Sequence, residues 1–221
     1  MRIVWVLGVD LNVRYLAAIS TGETYLDALA SIDYEIRSLK KQIKEEKDPY
    51  KKELGERSLS SKRSYLYEWA ERIGARIVHK ACSIKGEDDC VIVFEDLNFD
   101  KLNVSEEVKN TWKKLIKIVE ESAPKREIEV SFVSSHYTST RCINCGKRSE
   151  ISRYRDTFHC PWCGYEGNAD VVAAINIGIN YILREYGKNK EVLYKLAGVD
   201  ICSLKWLKEL CKSNKKWPRS S

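Results

Sequence analysis

Three acidic residues occupy matching places in this chain. Asp10 closes the apolar run over residues 3–9, Glu95 closes a second apolar run over residues 91–94, and Asp170 opens the helical stretch 170–177. Acids at the carboxyl ends of buried strands stand where α/β sheets place ligand-binding and catalytic groups. Three carboxylates held within a few ångströms of one another repel, and some take up protons unless a cation neutralises them. Magnesium binds through one or two carboxylates, with waters and phosphate oxygens completing its shell. Two such ions, roughly 3.5–4 Å apart, activate a water and stabilise the leaving oxygen of a phosphodiester. The trio therefore points to a magnesium or manganese site acting on phosphodiesters, with Asp10 bridging two ions and Glu95 and Asp170 each holding one. A lone Asp at a strand end is more often a turn or cap residue, but here that reading would have to hold three times. Asp96 is a weaker candidate, because adjacent strand residues face opposite ways.

The second chemical group is a cysteine quartet, Cys142-x-x-Cys145, fourteen residues, then Cys160-x-x-Cys163. This spacing is that of a structural zinc site, in which four thiolates fill a tetrahedral shell and leave no open catalytic position. Gly146 and Gly164 follow the two pairs and free the backbone to turn its amides toward the sulfurs. Disulfides and an iron–sulfur cluster are the competing readings, the latter less usual at this paired spacing. Arg141, Lys147, Arg148, Arg153 and Arg155 decorate the segment, where they either contact phosphates or offset the charge of a zinc–tetrathiolate. His136 and His159 lie nearby, but neither is needed as a ligand.

The elements that must position these groups follow from apolar periodicity. Residues 3–9 read as a strand covered on both faces. Residues 14–20 and 23–28 read as two further strands, joined through turns at 11–13 and 21–22 into an antiparallel meander. Ile32, Ile36, Leu39 and Ile43 recur at helical spacing, as do Leu66, Ala70, Ile73, Ile77, Ala81 and Ile84. Residues 31–86 therefore read as a charged helical hairpin, with breaks or frayed ends at 47–50 and 58–61. Its role is scaffold or, less favoured, an arm facing nucleic acid. Residues 90–95 form a fourth strand. Ser105 caps a helix with Trp112, Leu115, Ile116 and Val119 inward, and Pro124 ends it. Residues 127–133 form a fifth strand, 170–186 a final packed helix, and 204–211 a short last one. The order describes a mixed five-stranded α/β sheet of ribonuclease-H-like type, with a helical insertion and an inserted zinc ribbon. There the first strand lies beside the fourth, so Asp10 and Glu95 become neighbours and the final helix brings Asp170 to them.

Composition adds limits. Residues 188–221 hold nine Lys/Arg against three Asp/Glu, while the rest of the chain balances at 29 and 29, so the net charge of +6 lies in the tail. Such a tail either touches nucleic acid or is a solvated terminus. No apolar stretch reaches the ~20 residues that span a bilayer, and the first apolar run is too short for a signal peptide. These features predict an intracellular protein without a membrane partner. Cys82, Cys90, Cys202 and Cys211 read as small buried thiols, with a disulfide among them as the alternative in a hyperthermophile.

Several motifs in order carry a family resemblance: Gly8-Val9-Asp10-Leu11, Phe94-Glu95-Asp96-Leu97-Asn98, Ser139-Thr140-Arg141-Cys142-x-x-Cys145-Gly146, Cys160-x-x-Cys163-Gly164 and Asp170-x-x-Ala-Ala-x-Asn-Ile177. Over residues 3–185 the chain resembles the RuvC-like nuclease half of TnpB (OrfB) proteins, transposon-encoded relatives of the type V CRISPR effector nucleases. Ile77-Val78-His79-Lys80 is similar to the helix before the second nuclease motif there. The resemblance implies Asp10, Glu95 and Asp170 as catalytic metal ligands, four cysteines on zinc, and RNA-guided cleavage of DNA. Domains are expected at 1–135 (nuclease core, with 31–86 inserted), 136–168 (zinc ribbon), 169–187 (final core helix) and 188–221 (basic tail). Family members usually carry a long N-terminal part that holds guide RNA; this chain starts on the first nuclease strand, so it is expected either to act alone with relaxed specificity or to use a separately encoded N-terminal part as partner. Asn12 stands where glycine is common and Val172 where asparagine is common. The expected function is a metal-dependent DNA endonuclease; the alternative is a non-catalytic zinc-ribbon nucleic-acid-binding protein or transposon remnant.

Overall fold

A computed structural model describes residues 2–186, 188, 191–201 and 203–207. The elements are β1 (Arg2–Asp10), β2 (Ala17–Ile19), β3 (Thr24–Tyr25), α1 (Leu29–Glu45), α2 (Pro49–Lys85), β4 (Asp89–Glu95), α3 (Glu106–Ser122), β5 (Ile128–Val133), the short strands β6 (Arg153–Tyr154), β7 (Thr157–His159) and β8 (Glu166–Asn168), α4 (Ala169–Glu185) and β9 (Val192–Leu196). The five expected strands form one mixed sheet in the order β3-β2-β1-β4-β5, with β9 added beside β1. β1, β4 and β5 run parallel, and β2 is antiparallel to β1. The register pairs Val9 with Phe94, so Asp10 and Glu95 are the next residues along two adjacent parallel strands.

Strand alternation divides the core into two layers. Leu7, Val9, Ile92 and Phe94 face the helices α1, α2 and α3, joining Leu66, Ile73, Ile77, Trp112 and Leu115. Val6, Val91 and Val93 face the opposite way and pack with Ile175, Ile177, Ile179 and Ile182 of α4. Asp10 and Glu95 keep the parity of this second set, so both lie on the α4 side. Burial of both faces explains why β1 and β4 are apolar without interruption.

Local chemistry explains where the elements depart from expectation. β2 and β3 are shorter than residues 14–20 and 23–28. Asn12 Oδ1 accepts from Arg14 N (3.0 Å) and Tyr15 N (2.9 Å), folding this stretch into a turn rather than a strand. Leu26 adopts a left-handed φ of 59°, which ends β3. The hairpin does break at residue 48: Asp48 caps α2 and Pro49 occupies its first turn. Residues 58–61, in contrast, run through α2 without a break. Leu59 is buried, and Ser61 Oγ donates to Arg57 O (3.1 Å), a local bond that lets serine sit inside a helix. The segment read as a basic tail includes β9, which pairs in parallel with residues 2–6 of β1. Lys205–Leu207 is helical, while Cys202 and residues 208–221, with Cys211, lie outside the described residues. Cys82 and Cys90 are free thiols, half-buried and buried. No helix among the described residues is long and apolar enough to cross a membrane.

Two contacts fix the helical layers. Glu107 of α3 accepts from Lys40 Nζ of α1 (2.6 Å) and from Arg63 Nη2 of α2 (2.8 Å). Burial pushes its carboxyl up, but the two cations outweigh burial and leave it below its ordinary value. The ion pairs therefore stabilise the fold above the ordinary carboxylate range, and that stability is lost as the pH falls through the depressed value. Replacement of Glu107 by Gln is expected to cost about 1–2 kcal/mol at pH 7, and the gap to the unmodified protein, read by denaturant melts, should shrink on acidification. On the other face, a Cβ at Gly8 would stand 1.9 Å from Ala174 O and 2.9 Å from Gly178 N, so α4 lies directly on the β1 backbone. Gly8→Ala is expected to cost about 3 kcal/mol; a melting temperature equal to that of the unmodified chain would contradict this packing.

Candidate active site and cysteine cluster

Each acid is presented by a different element. Asp10 closes β1 and is 9% exposed; Glu95 closes β4; Asp170 is the second residue of α4 and is fully buried. Asn168 caps α4 by accepting from Asp170 N and Val171 N, both at 3.0 Å, which sets the helix start that carries Asp170. Asn12 Nδ2 donates to Asp10 Oδ2 (2.8 Å), so the residue that shortens β2 also orients the first acid. Thr138 Oγ1 donates to Glu95 Oε2 (2.8 Å), and Arg153 Nη2 reaches Asp170 Oδ1 (2.5 Å). The second Asp170 oxygen is buried without a hydrogen-bond partner.

The electrostatics are those of crowded buried anions. Burial is the main force raising the Asp10 carboxyl, to about 7; the Asn12 bond opposes it, the charges of Asp170 and Glu95 add to it, and Arg153 offsets part. Burial also raises Glu95, against the Thr138 bond. Asp10 thus senses both other acids, though the oxygens of the trio are more widely spaced than the cysteine sulfurs. Among the described residues, the cysteine quartet is the His/Cys/Asp/Glu group whose ligand atoms all lie within 4.8 Å of each other. A divalent cation fits the acidic donor set on two grounds: an unpartnered buried carboxylate oxygen on Asp170, and a neighbouring carboxylate whose charge is held back by desolvation.

The cysteine cluster is compact. Cys142 and Cys163 sulfurs stand 3.6 Å apart, as do those of Cys145 and Cys160. Gly146 N bonds Cys142 O and Gly164 N bonds Cys160 O, both at 2.9 Å, with left-handed φ values of 72° and 70° at the two glycines. These are the tight turns that the glycines were expected to supply. Four convergent sulfurs suit zinc. The segment is tied to the start of α4 and to the turn after β1: Ala169 N donates to Asp156 O (2.7 Å), and Arg14 pairs with Asp156 (3.2 Å). Trp206 donates to Ile143 O (2.8 Å) and lies against Gly146.

The basic residues separate into two groups. Arg141, expected either to contact phosphate or to offset the thiolate charge, is 1% exposed; it donates to Asn180 Oδ1 (2.5 Å) and lies over the Trp206 ring, so it braces the interior. Lys147, Arg148, Arg153 and Arg155 are exposed. Lys147 lies over the 60%-exposed Trp162 ring, and Arg155 over the exposed Tyr154 ring. The sequence assigned no site role to Asn12 or to Asn176 of the third motif and passed over Thr138 and Asn180; only their place beside the acids and cysteines hinted at one.

Residues 112–177 match the protein family described as Cas12f1-like, TNB domain. A TnpB-like protein of Aquifex aeolicus (strain VF5) is 34% identical over 92 residues, 38% of this chain and 30% of the relative. The CRISPR-associated endodeoxyribonuclease Cas12f1 of Sulfoacidibacillus thermotolerans is 45% identical over 53 residues, 24% of this chain and 13% of the relative. The matched segments thus span less than a third of either relative's length. In shape, the chain is similar to Cas12f1 in the cryo-EM structure of a Cas12f1–sgRNA–target DNA complex. That likeness has a TM-score of 0.53 at 19% identity, over 78% of this chain and 49% of that one, and is one of fold.

The cluster geometry predicts that Cys142→Ser lowers the zinc bound per chain, measured by metal analysis of purified protein. Unchanged zinc content in that variant would contradict a four-thiolate site.

Proposed function

We propose that this chain, similar over part of its length to a TnpB-like protein and to the endodeoxyribonuclease Cas12f1, is a metal-dependent DNA endonuclease of the RuvC type. The observation that carries the reading is that Asp10, Glu95 and Asp170 share the α4 side of the sheet, where the charges of Asp170 and Glu95 act on Asp10. Asp10, Glu95 and Asp170 would hold magnesium or manganese, which when bound supplies water activation and stabilisation of the leaving oxygen. The remaining work falls to the chain. Asn12 and Thr138 orient two of the acids. Arg153, already at the acids, is placed to release Asp170 and meet a phosphate oxygen. Buried β1, β4 and α4 exclude water from the back of the site.

The cysteine segment, residues 136–168, acts in this reading as a zinc-held platform for the substrate strand. Trp162 and Tyr154 offer exposed rings, each with a cation beside it, an arrangement that stacks unpaired bases and neutralises their phosphates. DNA as substrate and guide RNA as partner come from the relatives: one is an endodeoxyribonuclease, and another was imaged with sgRNA and target DNA. A separate subunit supplying guide contacts belongs to the same proposal. The Arg153–Asp170 pair favours a second reading, a binding protein in which the guanidinium permanently replaces the cation.

Cleavage of labelled single- and double-stranded DNA with magnesium or manganese, beside Asp10→Asn, separates the two. Metal-dependent cutting that the variant loses, with DNA binding and melting temperature retained, is the expected result. Equal cutting by Asp10→Asn would overturn the assignment of the acids, and tight binding without cutting by the guide-loaded protein would favour the second reading.

A further inference from the structure

Building on the proposed metal-binding role of the three acids, we propose that Thr138 is a positioning residue that holds Glu95 in its ligating orientation, and that Asn176 locks Thr138 to the helix carrying Asp170. Thr138 is 4% exposed, and its hydroxyl lies 2.8 Å from Glu95 Oε2 and 3.1 Å from Ser135 O. The hydroxyl has one proton, and the carboxylate is both the nearer and the stronger acceptor. Glu95 closes β4 with a partly exposed side chain. A glutamate so placed has several rotamers available and loses side-chain entropy when held in one. A fixed donor on one of its oxygens holds the carboxylate in one orientation.

The donor is itself fixed. Asn176 is fully buried on α4, and its Nδ2 donates both to Thr138 O (3.0 Å) and to Arg141 O (2.8 Å). One amide thus grips both ends of the turn that presents the threonine. Arg141 N closes that turn on Tyr137 O (3.1 Å), and Tyr137 takes the left-handed φ of 63° that a reversal requires. Asn180, one helical turn beyond Asn176, holds the preceding strand exit through Ser134 O (3.3 Å) and His136 O (3.0 Å). Because Asn176 and Asp170 belong to one rigid helix, the spacing of Glu95 from Asp170 is set through Thr138. Arg141 precedes Cys142, so the start of the cysteine cluster is anchored at the same point.

The test is manganese binding, followed by electron paramagnetic resonance, on the zinc-loaded chain with Thr138→Val, Thr138→Ser, Glu95→Ala and the Thr138→Val/Glu95→Ala pair. Melting temperature and zinc content serve as checks on folding. Thr138→Val is expected to weaken manganese binding about tenfold, the loss of a hydrogen bond to a charged group. Thr138→Ser, which keeps the hydroxyl, should bind as the unmodified chain does. In the Glu95→Ala background the Thr138→Val change should have no further effect, because a residue acting through Glu95 has nothing left to act on. Unchanged affinity in Thr138→Val, or an equal loss with and without Glu95, would overturn the positioning role. If Glu95→Ala alone leaves manganese affinity unchanged, it is the metal reading of the acids that fails, and the role of Thr138 falls with it.

Discussion

Helix α4 and strand β1 touch backbone to backbone, and the acidic end of the sheet depends on that contact. Gly8 has no side chain to hold the helix away, and the space a Cβ would need is already filled by Ala174 O. The approach continues at Gly178, where a Cβ would stand 2.3 Å from Leu196 Cδ1 of β9. A helix seated this deeply presents its first turn to the ends of β1 and β4. Asp170, the second residue of that helix, is therefore brought to the side of the sheet that carries Asp10 and Glu95, although it lies 75 positions from the nearer of the two in sequence. Strand parity does the rest: residues 6, 8 and 10 of β1 and 91, 93 and 95 of β4 all face α4.

The consequence is electrostatic. Close packing removes water from Asp10 and part of it from Glu95, and burial raises both carboxyls, Asp10 the more clearly. Relief comes from short polar contacts, Asn12 on Asp10, Thr138 on Glu95 and Arg153 on Asp170, and none of them neutralises the whole cluster. Two of these three partners, Thr138 and Arg153, come from the segment that also bears the four cysteines. The cluster and the acids are thus one mechanical unit, joined by Asn176, by the Arg14–Asp156 pair and by the continuity of residue 168 into α4.

Much of this was legible from sequence, because the signals were local. Apolar runs ending in acids gave β1 and β4, Ser105 marked the start of α3, and the spacing of the cysteines with their glycines gave the turns of the cluster. What was not legible depends on residues far apart. β9 sits in a lysine-rich stretch and pairs with Arg2–Val6 across almost the whole chain. Its place is open because β2 pairs only with Val9 and Asp10, and β2 is short because Asn12 turns the chain after the first acid. Arg141 looked like its exposed basic neighbours, and its inward direction is decided by Asn180, 39 residues later. The serines at 58–61 resembled a break, since the local bond that keeps Ser61 in the helix leaves no trace in composition. The same distance dependence hid Thr138 and Asn176, whose partners are the acid of one element and the backbone of another.

The three acids are proposed to form one divalent-metal site. Anomalous diffraction from crystals grown with manganese and with a non-cleaved DNA strand tests it most directly, recorded at the manganese and zinc edges. Manganese peaks bounded by Asp10, Glu95 and Asp170, a zinc peak among Cys142, Cys145, Cys160 and Cys163, and Arg153 moved from Asp170 onto phosphate are expected. Zinc alone at the cysteines, with Arg153 still on Asp170 and no manganese at the acids, would contradict it.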